Sequence, residues 1–182
     1  MNIAAILFDL GDVIMQEETQ VQDDNGTTLS AELVAGMGEA VRSVKMRGHK
    51  IGLVADTHSK TAWNVLHQHD LYDLFDAFAI SEQVGCEKPD SRMFRAALDA
   101  LEIAPGDYAR VVMVGNNLSR DVRGANRLGL ISIWFHWNER YLADPNFVDT
   151  PTYEVHNARE LADLLKQIEA TLEGSAVGRL KS

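Results

Sequence analysis

The sequence predicts an α/β domain built on a three-layer, doubly wound parallel sheet. Short apolar runs without polar alternation recur along the chain, which is typical of strands buried on both faces. Segments with helical periodicity separate these runs, and strands that alternate with helices form parallel βαβ units. The length of 182 residues, 46% of them hydrophobic, favours one core. We therefore expect a single domain over residues 1–172 and a frayed tail over 173–182.

Six apolar runs predict six strands. The first run, Ile-Ala-Ala-Ile-Leu-Phe over residues 3–8, contains no polar residue, so both faces of its strand are expected to be buried. The other strands are predicted over residues 51–55, 78–80, 111–114, 130–135 and, with the weakest pattern, 153–155.

Five segments have the periodicity of helices. The first follows Ser30, a candidate N-cap, and ends at Gly48, with Leu33 and Met37 on its apolar face. The last has the spacing of a capping box at its start, and leucines line one of its sides. After the first, the helices are predicted over residues 58–69, 90–102, 119–128 and 157–172.

Residues 15–29 fall outside this alternation. The segment is polar and contains Asn25-Gly26, the pair that favours a two-residue type I′ hairpin turn. We predict a small β-hairpin flap that projects beyond the first strand.

The charge and cysteine content exclude several classes of protein. The 27 acidic residues outnumber the 17 basic ones, giving a formal net charge of −10, which argues against non-specific binding of nucleic acid. The single cysteine, Cys86, favours a reducing compartment. No apolar run approaches the ~18 residues that cross a membrane, and the first residues lack the pattern of a signal peptide. A cytoplasmic protein without membrane contact is expected.

Polar residues follow the strands at the edge where parallel sheets bind ligands. Carboxylate and amide oxygens there suit Mg²⁺, and a lysine beside them suits a phosphoryl group. The residues at this edge are Asp9, Gly11 and Asp12 after the first strand, Ala55, Asp56, Thr57 and His58 after the second, Glu87, Lys88 and Asp90 after the third, and Asn116, Asn117 and Asp121 after the fourth.

Four motifs carry these residues in a recognisable order. They are FDLGDV at 8–13, IGLVADT at 51–57, GCEKPD at 85–90 and VGNN at 114–117, the last leading to Asp121. Together they resemble the haloacid dehalogenase-like (HAD) superfamily of phosphohydrolases over nearly the whole chain. The resemblance implies a Rossmann-like core and a Mg²⁺-dependent phosphatase.

The resemblance also implies roles for individual residues. Asp9 matches the nucleophile that forms an aspartyl-phosphate, and Lys88 matches the lysine that neutralises the phosphoryl oxygens. Mg²⁺ would be held by Asp9, the carbonyl of Gly11, Asn116 and Asp121. The substrate phosphate would lie against the second motif, at Ala55, Asp56 and Thr57.

Three positions differ from the pattern of the family. Gly11 stands where an aspartate usually acts as general acid and base, and Asp12 cannot be assumed to replace it. Ala55 replaces a hydroxyl residue that binds phosphate, and Asn116 replaces an aspartate that binds the metal. These differences keep open a second hypothesis, a catalytically weak or inactive HAD-like domain that acts as a binding or regulatory module.

The intervals between the motifs leave no room for a cap domain. About forty residues separate Asp9 from Ile51, and the flap and one helix already use them. An open cleft would admit a small or a macromolecular phosphorylated substrate, or would be closed by a second subunit in a homo-oligomer. Carbon–halogen hydrolysis is disfavoured, because relatives with that activity need a helical cap.

Overall fold

A six-stranded parallel sheet forms the centre of the computed structural model, which describes residues 2–141 and 149–179. Helices cover both faces of the sheet, and a separate two-stranded hairpin lies beside it. The strands are β1 (Ala5–Phe8), β2 (Val21–Gln22), β3 (Thr28–Ser30), β4 (Ile51–Ala55), β5 (Ala77–Ile80), β6 (Val111–Gly115), β7 (Ile131–Phe135) and β8 (Tyr153–Val155). The helices are α1 (Met37–Met46), α2 (Ser59–Gln68), α3 (Ser81–Val84), α4 (Ser91–Ala100), α5 (Arg123–Leu128) and α6 (Ala158–Arg179).

The strand order in the large sheet is β5-β4-β1-β6-β7-β8, with every pair parallel. The chain moves outward from β1 through β4 to β5, and then crosses back to β6 on the other side of β1. The order therefore reverses between β1 and β6, and such a reversal opens a crevice at the carboxyl ends of the strands. The predicted doubly wound α/β fold is confirmed.

The apolar run of β1 separates two cores. Ile6 and Phe8 belong to the core under α1, α2 and α6, whereas Ala5 and Leu7 belong to the core under α4 and α5. All four residues are fully buried. Both faces of β1 pack against apolar side chains of helices, which explains why its sequence does not alternate.

The predicted hairpin is present, but its turn differs from the prediction. Of the turn residues only Gly26 has a positive φ, at 76°, whereas a type I′ turn needs two such residues. The amide of Gly26 donates to the carbonyl of Asp23 (3.0 Å), and the Asp23 carboxylate accepts from the amides of Asn25 and Thr27. The Asp23 side chain thus favours a type I turn that ends in a left-handed glycine.

The hairpin is also anchored rather than projecting freely. The amide of Thr28 donates to Oγ1 of Thr61 on α2 at 3.0 Å, in a buried hydrogen bond. Nδ2 of Asn64, one turn further along α2, donates to the carbonyl of Thr28 at 2.8 Å. These bonds join the inner strand of the hairpin to the helix that follows β4.

Two helix boundaries also differ from the prediction. Helix α1 begins at Met37, because Ser30 ends β3 and Leu33 forms a bridge with Met15. Helix α6 continues to Arg179, past the predicted end at residue 172. Extending a formed helix adds one hydrogen bond per residue, which outweighs the ~1 kcal/mol cost of Gly174. The remainder of the predicted tail, residues 180–182, lies outside the described residues.

The connections after β1 and β4 show no separate cap domain in the described residues. The hairpin and α1 occupy the first connection, and α2 occupies the second. Among all the residues that the structure describes, no helix is both long enough and apolar enough to cross a bilayer.

Close packing between α4 and α5 makes Gly124 a sensitive position. A Cβ added at Gly124 would lie 2.2 Å from the ring of Phe94, which is fully buried. We expect Gly124→Ala to lower the free energy of unfolding by about 1–3 kcal/mol through overpacking. Urea denaturation measures this loss, with Gly106→Ala as the control because nothing lies within 4 Å of its added Cβ. Equal stability of the two variants would contradict the packing described here.

Candidate active site

A cleft of about 240 Å³ opens at the carboxyl ends of β1, β4 and β6. Eight of the residues that the sequence predicts for the site lie in its lining, together with polar residues that the sequence did not indicate. The predicted residues are Asp9, Gly11, Ala55, Asp56, Thr57, Lys88, Asn116 and Asp121, and the additional ones include Glu17, Gln20 and Tyr141.

The sheet itself places Asp9. Phe8, the last residue of β1, pairs in register with Leu53 of β4 and Val114 of β6. The amide of Asp9 continues this ladder by donating to the carbonyl of Val114 at 3.0 Å. Asp9 therefore leaves the sheet at a fixed point, with 14% of its side chain exposed to the cleft.

Lys88 is the buried cation of the cleft, with 2% of its side chain exposed. Its Nζ donates to Oδ1 of Asp9 at 2.6 Å and to the carbonyl of Val54 at 2.9 Å. An ion pair of 2.7 Å joins the same Nζ to Oδ1 of Asp121. One ammonium group thus holds two carboxylates that follow different strands.

Burial and neighbouring charges shift the pKa values of Lys88 and Asp9, and for Lys88 the two effects oppose each other. Burial alone would lower the pKa of Lys88, but the carboxylates of Asp121, Asp9 and Asp56 together raise it above its ordinary value. Lys88 is therefore charged at neutral pH. Burial also raises the pKa of Asp9, to about 7, and Asp121 raises it further, whereas Lys88 lowers it.

A tight loop after β6 positions Asp121. A Cβ at Gly115 would lie 2.2 Å from Cβ of Asp121, so only glycine leaves space for the carboxylate there. The amide of Asn117 donates to Oδ2 of Asp121 at 3.0 Å. Oδ1 of Asp121 forms the ion pair with Lys88 but has no hydrogen bond among the described residues. A metal-binding role for Asp121 stays a prediction.

Asn116 lies beside this loop and presents an unusual group. The residue is buried, and its Nδ2 has no hydrogen-bond partner among the described residues. Nε1 of Trp134 fixes its backbone by donating to its carbonyl at 2.8 Å. A buried amide without a partner costs about 1–3 kcal/mol, and such groups commonly mark a place that a ligand completes.

The second motif contributes charge and shape. Oδ1 of Asp56 accepts from the amide of Lys88 at 2.9 Å, and its Oδ2 pairs with Arg120 at 3.2 Å. Asp56 thus holds the backbone of Lys88 and brings Arg120 to the rim of the cleft. Ala55 is buried at the end of β4 and brings no polar side chain, while Thr57 follows in the lining.

Asp12 takes no part in the lining of the cleft. It is fully buried, with φ at 48°, and its carboxylate accepts from Nε of Arg140 (2.6 Å) and from the amide of Glu17 (2.9 Å). Its position one residue after Gly11 therefore turns it away from the site. Asp12 positions the next turn of the chain.

That turn carries Glu17, a residue that sequence reasoning missed. A Cβ built on Gly11 would lie 2.2 Å from Oε1 of Glu17, so the Glu17 carboxylate fills the space beside this glycine. The hydroxyl of Tyr141 donates to both Glu17 oxygens, at 3.3 and 3.1 Å. Burial, followed by the charge of Asp12, raises the pKa of Glu17. The only sequence signal was a missing side chain at Gly11 with a carboxylate six residues later.

Three comparisons with known proteins, by family model, by sequence and by structure, each found similar proteins. A family model described as haloacid dehalogenase-like hydrolase matches residues 22–129. The chain is 31% identical over 122 residues to a glyceraldehyde 3-phosphate phosphatase of Methanopyrus kandleri, covering 66% of this chain and 51% of the relative. It is 34% identical over 121 residues to the pyrimidine 5′-nucleotidase YjjG of Escherichia coli, covering 66% and 52%.

A solved structure shares the fold. The HAD phosphatase of Thermococcus onnurineus aligns with a TM-score of 0.71 at 20% identity, covering 89% of this chain and 97% of that one. The chain spans about half the length of the relatives that it matches in sequence. Since the family model covers more than half of the chain, this protein belongs to the haloacid dehalogenase-like hydrolases.

Proposed function

We propose that this chain hydrolyses phosphoric monoesters through an aspartyl-phosphate on Asp9. The observation that carries the proposal is the single ammonium of Lys88, which lies 2.6 Å from Asp9 and 2.7 Å from Asp121 in a cleft. A buried cation next to an accessible carboxylate provides both a nucleophile and a partner for phosphoryl oxygens. The names of the relatives, a glyceraldehyde 3-phosphate phosphatase and a pyrimidine 5′-nucleotidase, support the same class of substrate.

The first step forms a bond between a carboxylate oxygen of Asp9 and phosphorus, while the ester bond from phosphorus to the leaving oxygen breaks. Lys88 holds Oδ1 of Asp9, so the other carboxylate oxygen attacks. The leaving oxygen takes up a proton and departs as an alcohol. Water then attacks phosphorus, the bond to Asp9 breaks, and inorganic phosphate leaves with Asp9 restored.

Lys88 stabilises the charge on the phosphoryl oxygens during both steps. Its burial keeps water away from the ammonium group, and electrostatic stabilisation is stronger in such surroundings than in water. Arg120 at the rim adds a second positive charge near the entrance. These local cations allow a chain with a net charge of −10 to bind an anion.

The residues of the cleft also fit Mg²⁺. Asp9 offers a carboxylate, Gly11 a backbone carbonyl and Asn116 a side-chain amide, and hard cations prefer these oxygen ligands. The unpartnered Nδ2 of buried Asn116 is an N–H donor, so it suits a phosphoryl oxygen of the substrate, while the amide oxygen would serve the ion. When bound, the ion would supply positive charge to the phosphoryl oxygens. Asp9, Gly11 and Asn116 would hold it, with Asp121 next to them.

The dimensions of the site favour a substrate that extends outside it. Its volume of about 240 Å³ is below the ~300–1,000 Å³ of pockets that enclose a whole small ligand. The cleft would therefore hold the phosphoryl group, with the alcohol part of a phosphorylated small molecule or macromolecule reaching the entrance.

Replacement of the nucleophile tests this function. We expect Asp9→Asn to reduce Mg²⁺-dependent release of phosphate from 4-nitrophenyl phosphate to the uncatalysed rate, because an amide cannot form the acyl phosphate. Asp24→Asn, an exposed position in the hairpin turn, is the matched control. Equal rates for the wild type and Asp9→Asn would refute the proposal. Failure to bind Mg²⁺ or beryllium fluoride would instead favour the binding-module hypothesis, and clear turnover would exclude it.

Removal of the buried ammonium tests its electrostatic role. We expect Lys88→Met to lose about 3–5 kcal/mol of stability at neutral pH, because Asp9 and Asp121 become buried charges without a cation. A carboxyl group whose pKa is higher in the folded state destabilises that state as pH rises. Burial raises the pKa of Asp9 to about 7 although Lys88 lowers it, so the pKa is higher still without Lys88. Asp9 is therefore protonated in both folded proteins below pH 7, and the deficit should be smallest there and grow as the pH rises above 7.

Urea denaturation at several pH values measures this deficit. Lys60→Met, which removes an exposed lysine of α2, serves as the control. A loss of stability independent of pH would contradict the electrostatic account, since a simple loss of packing does not titrate.

The proposed metal ligand at position 116 is tested by adding a charge. We expect Asn116→Asp to bind Mg²⁺ more tightly, on the order of tenfold, because an anionic oxygen replaces a neutral one. Calorimetric titration with Mg²⁺ measures the change without relying on activity, and Asn25→Asp in the exposed hairpin turn controls for net charge. Unchanged or weaker binding would remove Asn116 from the metal site.

A further inference from the structure

The proposed reaction requires a proton donor that has so far not been assigned. An alkoxide is a poor leaving group, and a positioned acid that protonates it contributes typically 10²–10⁴-fold to the rate. This inference rests on the proposed function, because the donor matters only if an ester bond is broken in the cleft.

Most carboxylates near the cleft are already occupied. Asp9 is the nucleophile, and both oxygens of Asp121 are held, by Lys88 and by the amide of Asn117. Asp56 pairs with the amide of Lys88 and with Arg120. Asp12 lies outside the lining, bound to Arg140.

Glu17 is the remaining carboxylate in the described lining of the cleft. Its side chain is 26% exposed, so the carboxylate is open to a ligand yet largely enclosed. The hydroxyl of Tyr141 donates to it, and Nε of Arg140 lies 3.7 Å from Oε2. The backbone of Glu17 is fixed as well, since its amide donates to Oδ1 of Asp12.

Gly11 creates the space that this carboxylate occupies. Oε1 of Glu17 would lie 2.2 Å, and Cγ 3.1 Å, from a Cβ at position 11. Any side chain at position 11 would therefore displace Glu17. Because Gly11 is two residues after Asp9, the Glu17 carboxylate enters the cleft beside the segment that carries the nucleophile.

We propose that Glu17 is the general acid and base of this enzyme. As the ester bond breaks, the protonated Glu17 carboxyl gives its proton to the leaving oxygen, which departs as the alcohol. The Glu17 carboxylate then takes a proton from the water that attacks phosphorus of the aspartyl-phosphate. Phosphate is released, and Asp9 and protonated Glu17 return to their starting states. Tyr141 and Arg140 are positioning residues that hold the Glu17 carboxylate in place.

A series of leaving groups separates this role from a structural one. The variant Glu17→Gln keeps an acceptor for the Tyr141 hydroxyl but cannot transfer the proton. 4-Nitrophenolate leaves readily without protonation, whereas an alkoxide does not. The comparison is made for the phosphorylation step. In that step we expect Glu17→Gln to slow the reaction of ethyl phosphate by about 10²–10⁴-fold and the reaction of 4-nitrophenyl phosphate much less.

The outcomes distinguish the two proposals. Glu18→Gln, an exposed neighbour outside the cleft lining, should leave both rates unchanged. An equal effect of Glu17→Gln on the phosphorylation step of both esters, or no effect on either, overturns the role of Glu17. If the wild type is no faster than Asp9→Asn with 4-nitrophenyl phosphate, the proposed function itself fails and the role of Glu17 fails with it.

Moving the carboxylate tests its position directly. Gly11→Asp alone should be impaired because its side chain collides with Glu17, and Glu17→Ala alone should be slow with ethyl phosphate. The double variant Gly11→Asp/Glu17→Ala removes the collision and supplies a carboxylate in the same space. Faster hydrolysis of ethyl phosphate by the double variant than by Gly11→Asp supports the claim that the two carboxylates compete for one space, and a Gly11→Asp variant faster than the wild type overturns it. A double variant no faster than Glu17→Ala overturns the claim that a carboxylate acts beside position 11.

Discussion

The arrangement of the site depends on one buried ammonium group. Lys88 pairs with Asp9 and Asp121, which follow different strands, and its backbone amide is held by Asp56 after a third strand. Because leaving any of these charges buried without a partner is costly, the lysine determines how the strand ends meet. Two carboxylates and one ammonium group leave the cleft with a net negative charge. This charge would repel an arriving phosphate dianion, which supports the proposal that Asp9, Gly11 and Asn116 hold a further cation.

The topology explains why these groups meet. Phe8 of β1 pairs with Leu53 and Val114, so the three central strands end almost level with one another. The reversal of strand order between β1 and β6 keeps a crossover helix from covering this point. The first motif and the fourth therefore face each other across one crevice, although more than a hundred residues separate them in sequence.

The sequence predicted the sheet and the strand-end residues because both follow local rules. A continuous apolar run indicates a strand with two buried faces, and the residue after it lies at the ligand-binding edge. Errors arose where long-range contacts decide. Leu33 has helical spacing but bridges to Met15, and Ser30 joins a hairpin strand, so α1 starts later than predicted. Glu17 could not be found by spacing, since its position depends on Tyr141, 124 residues further along the chain.

Hydrogen bonds attach the turn that carries Glu17 to the rest of the domain. The turn that carries it is joined to the entry of α1, where Gln16 donates to the carbonyl of Leu33 at 2.7 Å and Thr19 accepts from the amide of Glu32. The hairpin that follows is attached to α2 through the buried hydrogen bond between Thr28 and Thr61. Since α2 follows β4 and Asp56, these hydrogen bonds connect the turn to the element that carries the second motif. The carboxylate beside Gly11 is itself held by Tyr141 and lies near Arg140, so contacts within the domain fix its position.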